Sequence, residues 1–509
     1  MKTLILTRST GEGHNRVARA LQQAFADRGH YCQAADALSI IQPSGPGAEF
    51  AGGRAGASSG ADSEGTISPG RRGRGSSGVT PRKRRQYASD PPEDDPHSGK
   101  VKHAGADVAS RLYGWSAFKV PWLFGAAYSL GDAYSRTRIP SPIYFQNRQF
   151  AAATHDYISE HGFDAVISVH LFPQETLSEI RAHYLSPVRY YGVLTDYSCS
   201  PFFAEARLDG YFVPHPDMMA DCVRHGLSAA ITYPLGIPVG TDFSAGGNRT
   251  GAGGGDRPGE DRGKRAGANR GDQVGAVSGD WPGVDRGSWA GAVGADQGVA
   301  GGGDWPGADR GDQVGGIGGD WPSAGGGDQA AARARLGLPL TKNVYLLMSG
   351  GVGSMYCVEV CDRLLADDPA AQVVILTGRR QDLFISISRR YDGDPRVAVV
   401  DFSERVADYM VAADILVTKP GAVTSTEAAV LGLPLVHTAA IPGGETKNAR
   451  FFASHGMCLY DQHPGKAARL VEELLADRDK VRQMVAQQRA TMLPDAAERI
   501  VAHIEREVR

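Results

Sequence analysis

Three short stretches of the chain put glycines, polar side chains and a helix start directly after an apolar run. The first is Thr10-Gly11-Glu12-Gly13-His14-Asn15. The second is Ser349-Gly350-Gly351-Val352-Gly353-Ser354. The third is Lys419-Pro420-Gly421-Ala422-Val423-Thr424-Ser425-Thr426-Glu427. Glycines let the backbone turn tightly and come close to a ligand. A helix start adds unpaired N–H groups and a positive dipole end, which suit an anion.

In the first stretch His14 is the group with chemistry. A helix N-terminus disfavours imidazolium, and a neutral imidazole is what a general base needs. The bland alternative is a histidine that only caps a helix. A dinucleotide fingerprint, with Asp36 as ribose acid, is a poor match because Arg16 stands where its third glycine belongs. In the second, the backbone around Gly351 and Gly353 can cradle phosphate oxygens, or be a plain tight turn. It lacks the Gly-Lys-Ser/Thr ending of a P-loop, so nucleotide hydrolysis is not indicated. In the third, the backbone of Gly421, Ala422, Val423 and Thr424 can face a diphosphate. Glu427 can accept from ribose hydroxyls, or only complement the helix dipole. Close behind, Glu445 and Asn448 lie in Ile441-Pro442-Gly443-Gly444-Glu445-Thr446-Lys447-Asn448-Ala449, which reads as a loop able to bind sugar hydroxyls. Asp196 ends an apolar run and can orient a base or bind a second substrate; it can equally be a strand-end turn carboxylate.

These groups need a scaffold that brings strand ends together. Residues 3–7 predict a strand, 15–28 a helix with Val17, Ala20, Leu21, Ala24 and Phe25 on one face, and 30–35 a second strand. Further strands are predicted at 164–169, 189–194, 210–213 and 231–233, with a helix at 174–184 after a turn at 170–173. The second half predicts strands at 344–348, 373–377, 397–400, 415–418 and 435–437. Helices are predicted at 354–365, 405–412 and 424–431, and a charged helical tail at 464–508. Strands alternating with helices predict an α/β fold with parallel sheets.

Composition divides the chain. It has 509 residues and 66 glycines, of which 29 fall between Gly246 and Gly327 with four of the six tryptophans. There G-D-W-P recurs at Gly279, Gly303 and Gly319 with unequal spacing, which argues against a solenoid. Residues 43–103 are also rich in Gly, Ser, Pro and charge. Their P-R-K-R-R run reads as part of a solvated insert in preference to a targeting tag. The expected organisation is a Rossmann-like domain over 1–243, a low-complexity linker over 244–329, and a second Rossmann-like domain over 330–509.

Net charge is −3, which excludes a globally basic nucleic-acid binder. Six scattered cysteines without a C-x-x-C read as reduced thiols in a cytoplasmic protein. No signal peptide and no apolar run of bilayer length is evident, so membrane contact is expected to be peripheral. Residues 111–134 mix Trp115, Trp122 and Phe124 with basic flanks. They suit an interfacial segment on an anionic membrane surface, or a buried helix pair broken at Pro121.

The ordered motifs carry a resemblance. They are G-E-G-H-N at 11–15, V-I-S-V-H-L-F-P at 166–173, V-L-T-D-Y at 193–197, D-G-Y-F-V at 209–213 and G-I-P-V at 236–239. The second half adds S-G-G-V-G at 349–353, K-P-G-A-V-T-S-T-E-A at 419–428 and P-G-G-E-T-K-N-A at 442–449. Together they resemble the monogalactosyldiacylglycerol synthase and processive diacylglycerol glucosyltransferase family. More distantly they are similar to the N-acetylglucosaminyltransferase of lipid II synthesis.

The resemblance implies a GT-B fold, two Rossmann-like domains facing across a cleft. It implies inverting transfer of a hexose from a UDP-sugar to diacylglycerol or a related lipid, at the inner face of the cell membrane. By it the C-terminal domain holds the donor. Glu427 is then on the ribose, and the Gly351–Gly353 and Ala422–Thr424 backbones are near the diphosphate. His14 is the candidate base on the acceptor side. No metal, and no cofactor beyond the donor substrate, is implied. The alternatives are transfer of N-acetylglucosamine to a polyprenyl-linked saccharide, or a UDP-sugar sensor without turnover. One departure is Gly444, where the family commonly carries Gln, which leaves the sugar open.

Overall fold

The computed structural model describes residues 1–8, 12–41, 142–199, 203, 205–243, 326–349 and 355–508. Gly351, Gly353, the 111–134 segment, the insert at 43–103 and nearly all of the 246–327 segment lie outside the described residues.

The first half forms one six-stranded sheet from β1 (Lys2–Thr7), β2 (Tyr31–Asp36), β3 (Ala165–Ser168), β4 (Arg189–Val193), β5 (Gly210–Val213) and β6 (Thr232–Pro234). The order is β2-β1-β3-β4-β5-β6, and every neighbouring pair is parallel. Leu4, Ile5 and Leu6 are fully buried, as a strand covered by helices on both faces requires. The helix Glu12–Asp27 buries the predicted face, Val17, Ala20, Leu21, Ala24 and Phe25, together with Ala18.

The second half forms another six-stranded parallel sheet. Its strands are β7 (Val344–Met348), β8 (Gln372–Leu376), β9 (Val397–Val400), β10 (Ile415–Thr418), β11 (Leu435–His437) and β12 (Leu459–Tyr460). Their order is β12-β11-β10-β7-β8-β9. The two Rossmann-like domains expected from the sequence are therefore present.

Strand order locates the ligand crevices. In an open parallel sheet, ligands bind beyond the carboxyl ends of the strands where the winding reverses. In the first sheet that point lies between β1 and β3, in the second between β7 and β10. His14 follows β1, and Gly421–Thr424 follow β10. The chain thus puts His14 and the Gly421–Thr424 helix start at the two switch points.

Several local readings change. The predicted turn at 170–173 is already helical: the helix runs Leu171–His183, with His170 as its N-cap. Pro173 fits this first turn, where its missing N–H breaks no helical bond. The predicted loop at 441–449 is also largely helix, Gly444–Ser454. Gly443 precedes it at φ 106°, a backbone region that L side chains rarely adopt. The helix Gln381–Arg390 and the two-residue β12 have no counterpart among the predicted elements.

The tail is three helices, Pro464–Ala476, Arg478–Thr491 and Ala496–Val508. The last packs on the first sheet's side of the molecule. Glu505 accepts from Arg28 Nε at 3.0 Å, and the His503 ring lies 4.0 Å from that of Tyr233. Gly236 is the close-packed point: a Cβ there would meet Ala496 at 2.8 Å. The helix Gly326–Leu336 begins the second half and inserts Arg333 beneath the sheet, 2.7 Å from Asp414. Both side chains are buried. Asp414 also accepts the Val344 N–H at 2.7 Å. Among the described residues no helix is long and apolar enough to cross a membrane.

Candidate functional site

His14 sits in the first turn of the helix Glu12–Asp27, anchored by Asn15, whose Oδ1 accepts from Thr7 Oγ1 at 3.1 Å. Its Nδ1 lies 3.3 Å from Thr195 Oγ1, just past β4. Its ring meets that of His170 edge-on, with centroids 4.7 Å apart. Burial lowers the His14 pKa; Asp196 and a backbone hydrogen bond at Val169 act in the opposite direction. The neutral imidazole inferred from the helix dipole is thus favoured chiefly by desolvation. His170 is held well below the ordinary range by burial, then by His14 and Arg8. Two neutral imidazoles therefore share the β1–β3 switch point.

His170 was not among the residues the sequence singled out for chemistry. Its signal was its place inside V-I-S-V-H-L-F-P, which was read as strand and turn. Beside it, Arg8 lies over the Phe172 ring at 5.4 Å. An apolar hollow there is lined by Leu6, Arg8, Ile40, Phe150 and Phe172, among others.

The other domain meets this face directly. Gly421 caps the helix Ala422–Leu431 with extended backbone, so Ala422, Val423 and Thr424 form its first turn. A Cβ on Gly13 would lie 3.4 Å from Val423 Cγ2, so the two helix starts nearly touch. One turn further along, Arg16 donates to Glu427 Oε2. Glu427 is fully buried; burial raises its pKa while Arg16 opposes the rise. The carboxylate expected on a ribose is therefore held by an arginine of the opposite domain. In the sequence Arg16 stands out only where a third glycine would be. Arg379 adds a second ion pair across the same boundary, to Glu12 at 3.2 Å.

Asp196 and Asn448 come together. Asn448, fully buried, donates from Nδ2 to Asp196 Oδ1 at 2.9 Å and to the Pro420 carbonyl at 3.1 Å. Its Oδ1 accepts the Tyr197 N–H at 2.8 Å. Tyr197 in turn reaches Thr426 Oγ1 at 2.8 Å, and its ring stacks on Phe451 at 4.5 Å. Asn448 therefore ties the β4 loop to the loop after β10. Gly444 opens the same helix, and a Cβ there would point at the Asp196 carboxylate from 4.0 Å. The missing side chain leaves that flank of Asp196 clear.

Glu445 does not join them. One of its oxygens accepts the Ile441 N–H at 2.8 Å, and the other lies 3.5 Å from Lys419 Nζ. It closes its own turn and partners a buried lysine. His437, at the end of β11, is also fully buried, 2.8 Å from Ser425 Oγ, and its pKa is depressed to about 3 by burial. It supports the helix that carries Glu427 from below.

This arrangement can hold a neutral base at one switch point and an anion at the other, with a carboxylate and an amide between them. Family models match parts of both halves of the chain. Residues 102–239 match the family model described as monogalactosyldiacylglycerol (MGDG) synthase. Residues 348–500 match the glycosyltransferase family 28 C-terminal domain. The processive diacylglycerol beta-glucosyltransferase of Bacillus subtilis (strain 168) is 32% identical over 176 residues, 34% of this chain and 46% of that protein. The protein of the same name from Bacillus pumilus (strain SAFR-032) is 30% identical over 172 residues, 33% of this chain and 45% of that protein. The matched stretch thus spans under half the length of either relative. Among solved structures, MurG of Acinetobacter baumannii is 12% identical with a TM-score of 0.47, covering 99% of each chain. Residues 102–239 are thus similar to the monogalactosyldiacylglycerol synthase family, residues 348–500 are similar to the glycosyltransferase family 28 C-terminal domain, and part of the chain is similar to processive diacylglycerol beta-glucosyltransferases.

Proposed function

We propose that the protein is an inverting glycosyltransferase that moves a hexose from a UDP-sugar to the hydroxyl of diacylglycerol or a related lipid. The observation that carries this reading is the meeting of the two switch points. Next to the desolvated His14, Gly13 comes so close to the Ala422–Leu431 helix start that a Cβ on it would lie 3.4 Å from Val423 Cγ2.

In this reading the acceptor hydroxyl lies against His14. Its oxygen attacks the anomeric carbon as the bond from that carbon to the diphosphate oxygen breaks. UDP leaves with the electron pair, and His14 takes the hydroxyl proton. The N–H groups of the Ala422–Leu431 helix start stabilise the departing diphosphate. Asn448 fixes Asp196 beside the base. Glu427 receives the ribose when Arg16 gives it up. Contact with the inner face of the cell membrane, an anionic surface, through residues 111–134 belongs to the same proposal. Trp115, Trp122 and Phe124 beside basic flanks supply its chemistry.

The test is a panel of labelled UDP-sugars with diacylglycerol vesicles and with a polyprenyl-linked saccharide. A labelled glycolipid formed from diacylglycerol supports the reading. Product formed only on the polyprenyl acceptor moves the activity to the alternative substrate. UDP binding without UDP release from any pair rejects turnover.

A further inference from the structure

Away from His14, three metal-ligating side chains from both domains meet. His215 and Asp217 lie in the turn after β5, and His455 ends the helix Gly444–Ser454. Their ligating atoms all lie within 4.8 Å of one another. His455 Nε2 is 2.9 Å, and His215 Nδ1 3.6 Å, from Asp217 Oδ2. Both rings are half-buried and pack on Phe451, which also stacks on Tyr197.

The tautomers decide what such a cluster can hold. His455 Nδ1 lies 2.8 Å from the Phe451 carbonyl, which can only accept, so Nδ1 carries the hydrogen. The other ring nitrogen, Nε2, points at Asp217 and is the atom a metal would take. His215 Nδ1 accepts the Asp217 backbone N–H at 3.2 Å, so its lone pair also lies on the Asp217 side. Two ring nitrogens and a carboxylate oxygen thus converge, joined now by the Asp217 N–H on His215 and the His455–Asp217 contact, which a metal would replace. A hydrogen bond from a metal-binding histidine's second nitrogen to a backbone carbonyl is the usual support of such a ligand. His455 already has it.

We infer that His215, Asp217 and His455 bind a divalent zinc ion that bridges the two domains. Zinc takes nitrogen and carboxylate ligands at about 2.0–2.2 Å in a tetrahedral set, with water completing three protein ligands. The exposed Asp217 carboxylate is free to swing inward, and His215 exchanges a long N–H contact for the metal. The helix that ends at His455 also carries Asn448. A metal there would hold in place the side chain that meets Asp196.

The full chain, stripped with chelator, is titrated with zinc chloride by calorimetry, and with Co²⁺ followed by absorbance. Melting temperatures are measured with and without Zn²⁺. The expected result is one tight equivalent in the parent protein and a zinc-dependent rise in melting temperature. Affinity should fall at least tenfold in His455→Ala, His215→Gln and Asp217→Asn. The exposed His463→Ala should keep it. Three substitutions on two domains keep the comparison alive if one variant does not fold. Zinc binding no tighter in the parent than in the folded variants, or a zinc effect equal in all of them, overturns the site. The readouts need no sugar transfer, so they stand apart from the proposed activity.

Discussion

Asn448 Nδ2 lies 2.9 Å from Asp196 Oδ1, joining residues 252 positions apart in the sequence. The same side chain accepts the Tyr197 N–H and donates to the Pro420 carbonyl. One buried amide thus sets where the carboxylate beside His14 stands relative to the loop after β10. A hydrogen bond to a charged group contributes about 1.5–3 kcal/mol. Asn448→Ala should therefore lower kcat/KM by roughly 10- to 100-fold, by the same energy scale. Steady-state kinetics check this. Unchanged kinetics in a folded variant would make Asn448 a packing residue only.

The Arg16–Glu427 pair gives a second prediction. Glu427→Ala should weaken UDP binding by roughly 1.5–3 kcal/mol, the value of a charged hydrogen bond. Calorimetry with UDP decides. A lowered melting temperature with unchanged UDP affinity would make the pair a strut between domains and take Glu427 out of the donor site.

Buried histidines predict acid sensitivity. The unfolded chain protonates His437 near its ordinary pKa of 6.5, whereas the folded one resists until about 3. Between these values the unfolded state binds more protons, so stability falls as pH falls and is fully present above 6.5. The slope is up to about 1.4 kcal/mol per pH unit for this group. His14 and His170 act in the same direction. Urea unfolding at pH 7.5 and pH 5 should show a smaller loss in His437→Gln than in the parent. Equal losses would contradict this account of His437.

The Arg333–Asp414 pair is structural. Arg333 also donates to the Ala412 carbonyl at 2.8 Å. Removing one partner leaves a buried charge, which costs about 3–5 kcal/mol. Arg333→Met should lose about that much in urea unfolding, while the folded fraction keeps its UDP affinity. A loss below about 1 kcal/mol would show that the site relaxes around the unpaired aspartate.

The sheets were legible because their strands are short apolar runs, Leu4-Ile5-Leu6 and Val344–Met348 among them, separated by glycines and amphipathic helices. His14 and the Gly421–Thr424 start were legible for the same reason: local sequence places a strand, a turn and a helix. The cross-domain partners were not. Arg16 and Glu427 are 411 positions apart, and no local spacing pairs them. Asn448 was read on a loop because Pro442-Gly443-Gly444 looks like one. The helix that follows depends on burying Asn448, Ala449 and Phe452 against the other elements. His170 was missed because a histidine ahead of Pro173 resembles a turn, whereas the proline tolerates the first helical turn.

In the proposed reaction His14 takes the acceptor's proton in transfer from a UDP-sugar. The direct measurement is kcat for His14→Ala and His14→Gln with labelled donor and diacylglycerol, alongside UDP affinity by calorimetry. A fall in kcat of about 10²–10⁴-fold is expected in both, the size of a general-base contribution, with UDP affinity nearly unchanged. In the parent, activity should rise with pH through a midpoint below 6.5, because burial lowers the His14 pKa and the neutral ring is the active form. Near-full turnover in His14→Gln, or a loss of turnover that tracks a loss of UDP affinity, would contradict it.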